Sequence, residues 1–294
     1  MTGATLELLR LTARAKVNLY LHVVGRRGDG YHLLDSLVVF ADLADSLEIR
    51  PSSELTLAVR GAFAADTGPV EDNLVLRAAR ALREAAGMAR RGAEIVLDKN
   101  IPAVAGLGGG SADAAAALDA LARMWEVPGG AVDLPALAME IGADVPVCLA
   151  GIASFVGGAG EEISPAPELP PAGLLLVNPG IQVATQAVFA ARRGGFSPAG
   201  VFAGPIASVA DLAALLAERD NDLTEAAMRL APAIGDVIDA LAGLTGCRLA
   251  RMSGSGATCF GLFDDARAAA AAAPAVRRDG WWVAASVITH TKRR

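Results

Sequence analysis

The chain has 294 residues, 53% of them hydrophobic, and a formal net charge of −6 at pH 7 with histidines neutral. That length exceeds the usual domain of about 100–200 residues and predicts two domains or one large one. The alanine-swollen apolar fraction contains no run of about 18 residues free of charges and helix breakers, which excludes a membrane helix. The acidic balance argues against a nucleic-acid partner, which requires a basic face.

The opening "MTGATLELLR" carries Glu7 and lacks a basic segment followed by an unbroken apolar core. No signal peptide is predicted, and a cytoplasmic location is expected. "VNLYLHVVG" alternates, with Val17, Leu19, Leu21 and Val23 on one face and Asn18, Tyr20 and His22 on the other. This is the period of a half-buried strand that exposes its polar face. "LEIRPSSELTLAV" predicts two strands around a Pro-Ser-Ser-Glu turn, and "DNLVLRAARALREAAG" a helix capped near Asp72 and stopped at Gly87. "AEIVLDKN" is a further strand.

Next comes "IPAVAGLGGGSADAAAALDALARMW", three consecutive glycines against a helical stretch. Glycine admits positive φ and close backbone approach, and the free N–H groups of a helix start bind anions. A Walker A loop needs Gly-Lys-Ser/Thr, but Ser111 and Ala112 follow Gly110; a dinucleotide fingerprint needs glycine where Ser111 stands. On the loop alone, a tight turn before an alanine-rich helix is an equal reading.

"SPAPELPP" at 164–171 is the densest proline cluster and the expected domain boundary, giving domains 1–163 and 172–294. Beyond it the pattern predicts the strand "GLLLVNPG", helices near 211–219, 223–230 and 234–243, and the strand-turn-strand "CRLARMSGSGATCFGLF". An alanine-rich helix, a closing strand "WWVAASVITH" and a frayed "TKRR" follow. Cys148, Cys247 and Cys259 form no CxxC pair and are expected to be reduced thiols. His22, His32 and His290 show no zinc spacing, and no metal-ligating residue is assigned.

Pro102 through Ala117 resembles the hallmark of the kinases that phosphorylate galactose, homoserine, mevalonate and phosphomevalonate: a proline-led Gly-Leu-Gly loop before a helix. Within that superfamily the resemblance is greatest to the branch acting on a cytidine-linked methylerythritol. It rests on seven ordered blocks: "ARAKVNLYLHVVGRRGDGYHLLDSLVVFADLAD", "DNLVLRAARAL", "KNIPAVAGLGGGSADAAAAL", "IGADVPVCLAG", "NPGIQVATQAVF", "NDL" at 221–223 and "RMSGSGATCF". The resemblance implies an α+β, two-domain small-molecule kinase fold with a ribosomal-protein-like N-terminal domain and the active site in the cleft between domains. Two positions depart from the pattern: Arg14 replaces a common proline, and Ala112 replaces a second serine, leaving Ser111 as the loop's one hydroxyl.

The implied activity is transfer of phosphate from ATP, with Mg2+ accompanying the nucleotide, to the 2-hydroxyl of the substrate. Asp144 and Lys16 are the implied catalytic pair, although alone they read as a turn or cap aspartate and a solvated lysine. The implied nucleotide-binding residues are Pro102, Ala103, Val104, Ala105, Gly106, Leu107, Gly108, Gly109, Gly110, Ser111 and Ala112, with Asn73 and Lys99 near the adenine. Asn73 reads equally well as a helix cap. The implied substrate residues are Asn18, Tyr31, His32, Thr185 and Phe189; a cytosine would lie between Tyr31 and Phe189 while His32 reads its edge. A decarboxylase on the same fold and a non-catalytic ligand sensor are the competing readings; "GDGYH" opposes the first, and intact Lys16 and Asp144 oppose the second.

Overall fold

The computed structural model of the chain describes residues 8–103 and 105–289. Val104, His290, the first seven residues and the "TKRR" tail therefore lie outside the described residues. Two long strands, β1 (Leu9–Arg26) and β2 (His32–Ser52), form an antiparallel hairpin joined at Arg27–Tyr31. β3 (Leu55–Arg60) follows, then α1 (Leu74–Ala85) crosses over to β4 (Gly92–Asp98), which runs parallel to β3 and antiparallel to β2. The cap of α1 is Asn73, one residue later than the sequence suggested, with its Oδ1 accepting from the Val75 N–H at 2.9 Å.

α2 (Gly109–Met124), α3 (Leu134–Ile141) and α4 (Val145–Ala150) come next, then the hairpin β5 (Ser154–Gly158) and β6 (Glu162–Pro165), with β5 pairing to Leu34–Val38 of β2 on the edge opposite β1. The proline-rich segment leads from β6 to β7 (Gly173–Asn178). The remainder is α5 (Thr185–Ala191), α6 (Val209–Ala217), α7 (Thr224–Leu230), α8 (Ala233–Ala242), β8 (Leu249–Met252), β9 (Cys259–Phe263), α9 (Ala266–Ala272) and β10 (Trp282–Thr289). Strand order along the sheet is β3-β4-β2-β10-β7-β9-β8. β10 splices the two halves, pairing with β7 for most of its length and with Phe40 and Ala41 of β2 at its end.

Apolar faces account for the packing. Val75, Ala78, Ala79 and Leu82 of α1 recur at helical spacing and meet the alanine face of α2 and the sheet residues Leu47, Ile49, Ile95 and Leu97. The small alanines of α2 let it lie buried among α1, α4 and the sheet. A second cluster joins β1, β2, β7 and α6, and a third packs α7, α8 and α9 on β7 and β9.

The polar face of β1 departs from the sequence expectation. Asn18, Tyr20 and His22 are all buried, and the register shift between Asn18 and Tyr20 breaks the expected alternation, so that Tyr20 joins Val17 and Leu19 in one apolar cluster while Leu21 and Val23 pack in another. Each has partners. Asn18 donates to Ser36 Oγ at 2.8 Å, the Tyr20 hydroxyl donates to Asp35 at 2.5 Å, and His22 Nε2 accepts from Asp220 N–H while Nδ1 donates to the Pro198 carbonyl. Burial and the Asp35 contact push the Tyr20 phenol far above its ordinary value. Burial likewise raises the thiols of Cys259 and Cys247, which keeps them protonated and unreactive. Among the described residues no helix is long and apolar enough to cross a membrane.

Leu121 of α2 is wholly buried in the first cluster. Leu121→Ala is expected to destabilise the fold by about 2–5 kcal/mol, whereas exposed Arg90→Ala should stay within about 0.5 kcal/mol. Urea unfolding followed by circular dichroism checks both.

Candidate active site

The site begins at the glycine loop. Gly106 and Gly108 take positive φ, 76° and 60°, and Gly108 is the left-handed residue from which α2 departs. The sequence expectation placed that demand on the consecutive glycines; Gly109 and Gly110 instead form the first turn of α2. The N–H groups of Gly109, Gly110 and Ser111 therefore stand at a helix start, where the backbone leaves donors free and the helix dipole is positive.

A second glycine turn, Ser253–Gly256 between β8 and β9, locks onto the first. A Cβ on Gly106 would lie 2.5 Å from the Ser253 carbonyl oxygen and 2.8 Å from that of Gly256, so the two turns touch backbone to backbone. Ser253 Oγ accepts from the Asn18 N–H at 3.1 Å and donates to the Gly106 carbonyl at 3.0 Å, and Thr258 N–H donates to the Ala105 carbonyl. Asn221 holds the second turn from behind, its Nδ2 donating to the carbonyls of Met252 and Gly254 at 2.8 Å each.

Lys16 enters from β1. Register shifts between Arg14 and Lys16 and between Asn18 and Tyr20 flank it, and such bulges re-aim strand side chains. Its stem passes under Gly108, where a Cβ would come within 2.6 Å of Lys16 Cγ. Its buried ammonium donates to Asn18 Oδ1 at 2.6 Å and stands 3.3 Å from Asp144 Oδ2. Asp144 occupies the N-cap position of α4, yet its side chain makes no capping bond. By contrast, Asp133 caps α3 through the Ala136 N–H. The Asp144 carboxylate, 46% exposed, is thus turned into the cleft rather than spent on its own helix.

These pieces line one cleft of about 410 Å³: Lys16, Asn18 and Ser36 on the strands, Ala105 to Ser111 at the loop, Asp144, and Thr185, Phe189 and Gly254–Gly256 opposite. Within the loop, Leu107 and Ala112 are buried beneath it, and Leu107 contributes its carbonyl to the Lys16 N–H. Pro102 and Ala103 are partly exposed but do not line the cleft. Thr185 Oγ1 and Ser255 Oγ are 2.8 Å apart, joining the two sides.

Three expected residues stand elsewhere. Lys99 does not line the cleft; it is buried in ion pairs with Asp45 and Asp113. The Oδ1 of Asn73 is engaged in the cap of α1, and its neighbour Leu74 lines the cleft instead. Tyr31 is 63% exposed beneath the guanidinium of Arg27, and the ring stacked on Phe189 is that of His32, with centroids 5.1 Å apart at 24°. Burial, then Arg26 and Arg192, hold the His32 imidazole below its ordinary value and so neutral at pH 7.

Sequence reasoning assigned no role to Ser36, Ser253, Ser255 or Asn221. The "SGSG" glycines and the "NDL" block were the only signals, and neither shows that serine and asparagine side chains tie one loop to another.

Two glycine turns around a helix start, facing a buried lysine paired with an exposed carboxylate, define a phosphotransferase cleft. The chain matches the sequence profiles of "GHMP kinases N terminal domain" over residues 73–152 and "GHMP kinases C terminal" over 199–280. It is an ATP-dependent small-molecule kinase of that class, with its two-domain α+β fold. Within the class it belongs to the family of 4-diphosphocytidyl-2-C-methyl-D-erythritol kinases. The enzyme of that name from Paramagnetospirillum magneticum is 52% identical over 97% of this chain and 98% of its own length. That from Rhodospirillum rubrum is 51% identical over 93% and 90%. A crystal structure of 4-(cytidine 5'-diphospho)-2C-methyl-D-erythritol kinase is 38% identical, covers 96% of this chain and 100% of its own, and superposes with a TM-score of 0.77. Homoserine kinase from Cytophaga hutchinsonii, 20% identical, shares the fold over 100% of this chain and 99% of its own with a TM-score of 0.73.

Gly108→Ala forces a side chain into positive φ and against the Lys16 stem. The variant is expected to lose at least tenfold in kcat, since about 1–2 kcal/mol of backbone strain at Gly108 displaces the Lys16 stem and with it the ammonium paired to Asp144. Steady-state kinetics, with circular dichroism to confirm the fold, checks it.

Proposed function

We propose that the chain transfers the γ-phosphoryl group of ATP to the 2-hydroxyl of 4-diphosphocytidyl-2-C-methyl-D-erythritol, a step toward isoprenoid precursors, in the cytoplasm. The observation that carries the reading is Asp144: a cap-position carboxylate that leaves its helix uncapped, paired at 3.3 Å with a buried ammonium and facing the free first turn of α2. The proposed division of labour puts the nucleotide on residues 1–163 and much of the substrate contact on 172–294, with both halves meeting at the interlocked turns.

Phosphoryl transfer asks the protein mainly for positioning and charge compensation. The N–H groups of Gly109, Gly110 and Ser111 hold the phosphate chain. Asp144 accepts the proton of the attacking hydroxyl or orients it, and Lys16, fixed by Asn18, offsets negative charge on the reacting group. Among the described residues no cluster of three or more histidine, cysteine or acidic side chains is built to hold a metal ion. Mg2+ would arrive with the nucleotide and would screen phosphate charge there.

On the substrate side, Phe189 offers a ring for the cytosine and Thr185 a hydroxyl within the cleft. His32 stacks directly on Phe189, which sets its imidazole beside the ring that would take the cytosine. A neutral imidazole both donates and accepts, which suits reading the edge of a base.

ADP release by the purified protein, measured with the cytidine-linked methylerythritol, mevalonate, phosphomevalonate and homoserine in turn, tests the reading. Turnover should require the cytidine substrate; equal turnover with homoserine or mevalonate would overturn it. Asp144→Asn is expected to lower kcat by roughly 10² to 10⁴ while leaving the KM for ATP within a few-fold. Kinetics with each substrate varied separately checks that split.

A further inference from the structure

Beneath the glycine loop lies a charged cluster that the reaction scheme does not use. Lys99, at the exit of β4, is buried with its ammonium between Asp45 of β2 and Asp113 of α2, the latter at 2.8 Å. Asp45 also accepts from the N–H groups of Asn100 at 2.5 Å and Ile101 at 2.9 Å, which fixes the start of the loop. Asp113 lies four residues, about one helical turn, after Gly109. A Cβ on Gly109 would come within 3.2 Å of Lys99 Nζ and 3.5 Å of Asp45 Oδ2, so the cluster sits directly behind the first turn of α2.

The cluster is unevenly satisfied. Asp45 is matched by three donors, whereas Asp113 Oδ1 is buried with no hydrogen-bond partner. Two carboxylates against one ammonium leave a net negative charge when both are ionised, and an ionised oxygen without a partner in the interior is costly. Among the described residues, Lys99 and Asp45 are the charges that act on Asp113. The faces of α1 and β4 turned toward α2 are apolar, and α4 presents the Cys148 thiol to the same core. Lys16 of β1 stands on the cleft side, beside Gly108, paired with Asp144. Burial pushes the Asp113 carboxyl up to about 7, against the opposing pull of Lys99 and with Asp45 adding to the rise. Burial pulls Lys99 down, but the two carboxylates outweigh it and hold its ammonium above the ordinary value.

We propose that Asp113 is a positioning residue for the nucleotide, and that the phosphate loop binds ATP preferentially when Asp113 carries a proton, so that ATP binding is accompanied by proton uptake into the Asp45–Lys99–Asp113 cluster. The inference rests on the loop holding ATP, as argued above. With Asp113 neutral the cluster has no net charge and the free N–H groups of Gly109 to Ser111 meet the phosphates unopposed. With Asp113 ionised, a fixed negative charge sits behind the anion site. The sign follows: ATP affinity is greatest below the Asp113 titration and declines as pH rises through it, and bound ATP shifts that titration upward.

Asp113→Asn replaces the protonated acid by a neutral group of the same shape that cannot titrate. ATP affinity is measured by calorimetry from pH 6 to 8.5 in the absence of acceptor substrate, in buffers of different ionisation enthalpy. Wild-type affinity should fall by about tenfold more than that of Asp113→Asn over this range, one pKa unit of coupling, and wild type should take up more protons near pH 7.5. Ionisation of ATP itself is common to both proteins and drops out of the comparison. A second measurement needs no variant. Infrared difference spectra of the wild type at pH 7.5, with carboxyl groups labelled by 13C-aspartate, should show a protonated-carboxyl band growing on ATP addition. Equal pH dependence in the two proteins, or no such band, overturns this inference and leaves the kinase reading intact; failure of the wild type to bind ATP at any pH overturns both.

Discussion

The contact on which the cleft depends is the backbone-to-backbone seat of Gly106 between the carbonyls of Ser253 and Gly256. Ser253 Oγ closes that seat by bridging Gly106 to Asn18, so three segments distant in sequence are fixed by one hydroxyl. Any side chain at residue 106 would separate the turns, and with them the two halves of the cleft. The splice of β10 onto both β2 and β7 gives this arrangement a rigid floor. The function follows from that rigidity: phosphoryl transfer requires little covalent work of the protein and a great deal of fixed geometry.

Charge is distributed around the seat in two layers. On the cleft side stands an exposed carboxylate with a buried ammonium, Asp144 and Lys16, open to the cleft. Behind the loop stands a sealed one, Asp45–Lys99–Asp113. Taking such groups out of water is expensive, and buried ion pairs are weak sources of stability. Their worth here is positional, because Asp45 fixes where the loop begins and Lys99 supports Gly109 from beneath.

How much of this the sequence disclosed depends on the kind of signal each residue carries. The strand-loop-helix order around the glycine loop, the helices at 209–217, 224–230 and 233–242 and the strand-turn-strand at 247–263 follow from period and punctuation, whereas α3, α4, α5, β5 and β6 gave no such signal and were not predicted. Seven ordered blocks identified the kinase class, which no single motif does. What local reasoning missed is long-range. The alternation expected of β1 is broken by the register shift between Asn18 and Tyr20, and whether its polar side chains meet water or protein is decided by segments two hundred residues away, such as Asp220 and Ser253. Lys99 and Lys16 look alike in sequence, each a lysine beside an alternating apolar stretch. Only the pairing of strands shows that one is sealed between carboxylates and the other turned into the cleft. Tyr31 and His32 illustrate the same limit, since adjacent residues at a hairpin end point opposite ways and their choice is set by Arg27 and Phe189.

The most direct test of the cleft is hydrogen–deuterium exchange of the intact chain with and without a non-hydrolysable ATP analogue. If the two glycine turns close on the phosphate chain as one unit, exchange slows together in peptides covering 105–111 and 253–258, through the bond from Thr258 N–H to Ala105 that joins them. Protection of neither segment at saturating nucleotide, or protection confined to the separate hollow lined by Arg193, Glu225 and Met228, would contradict that assembly.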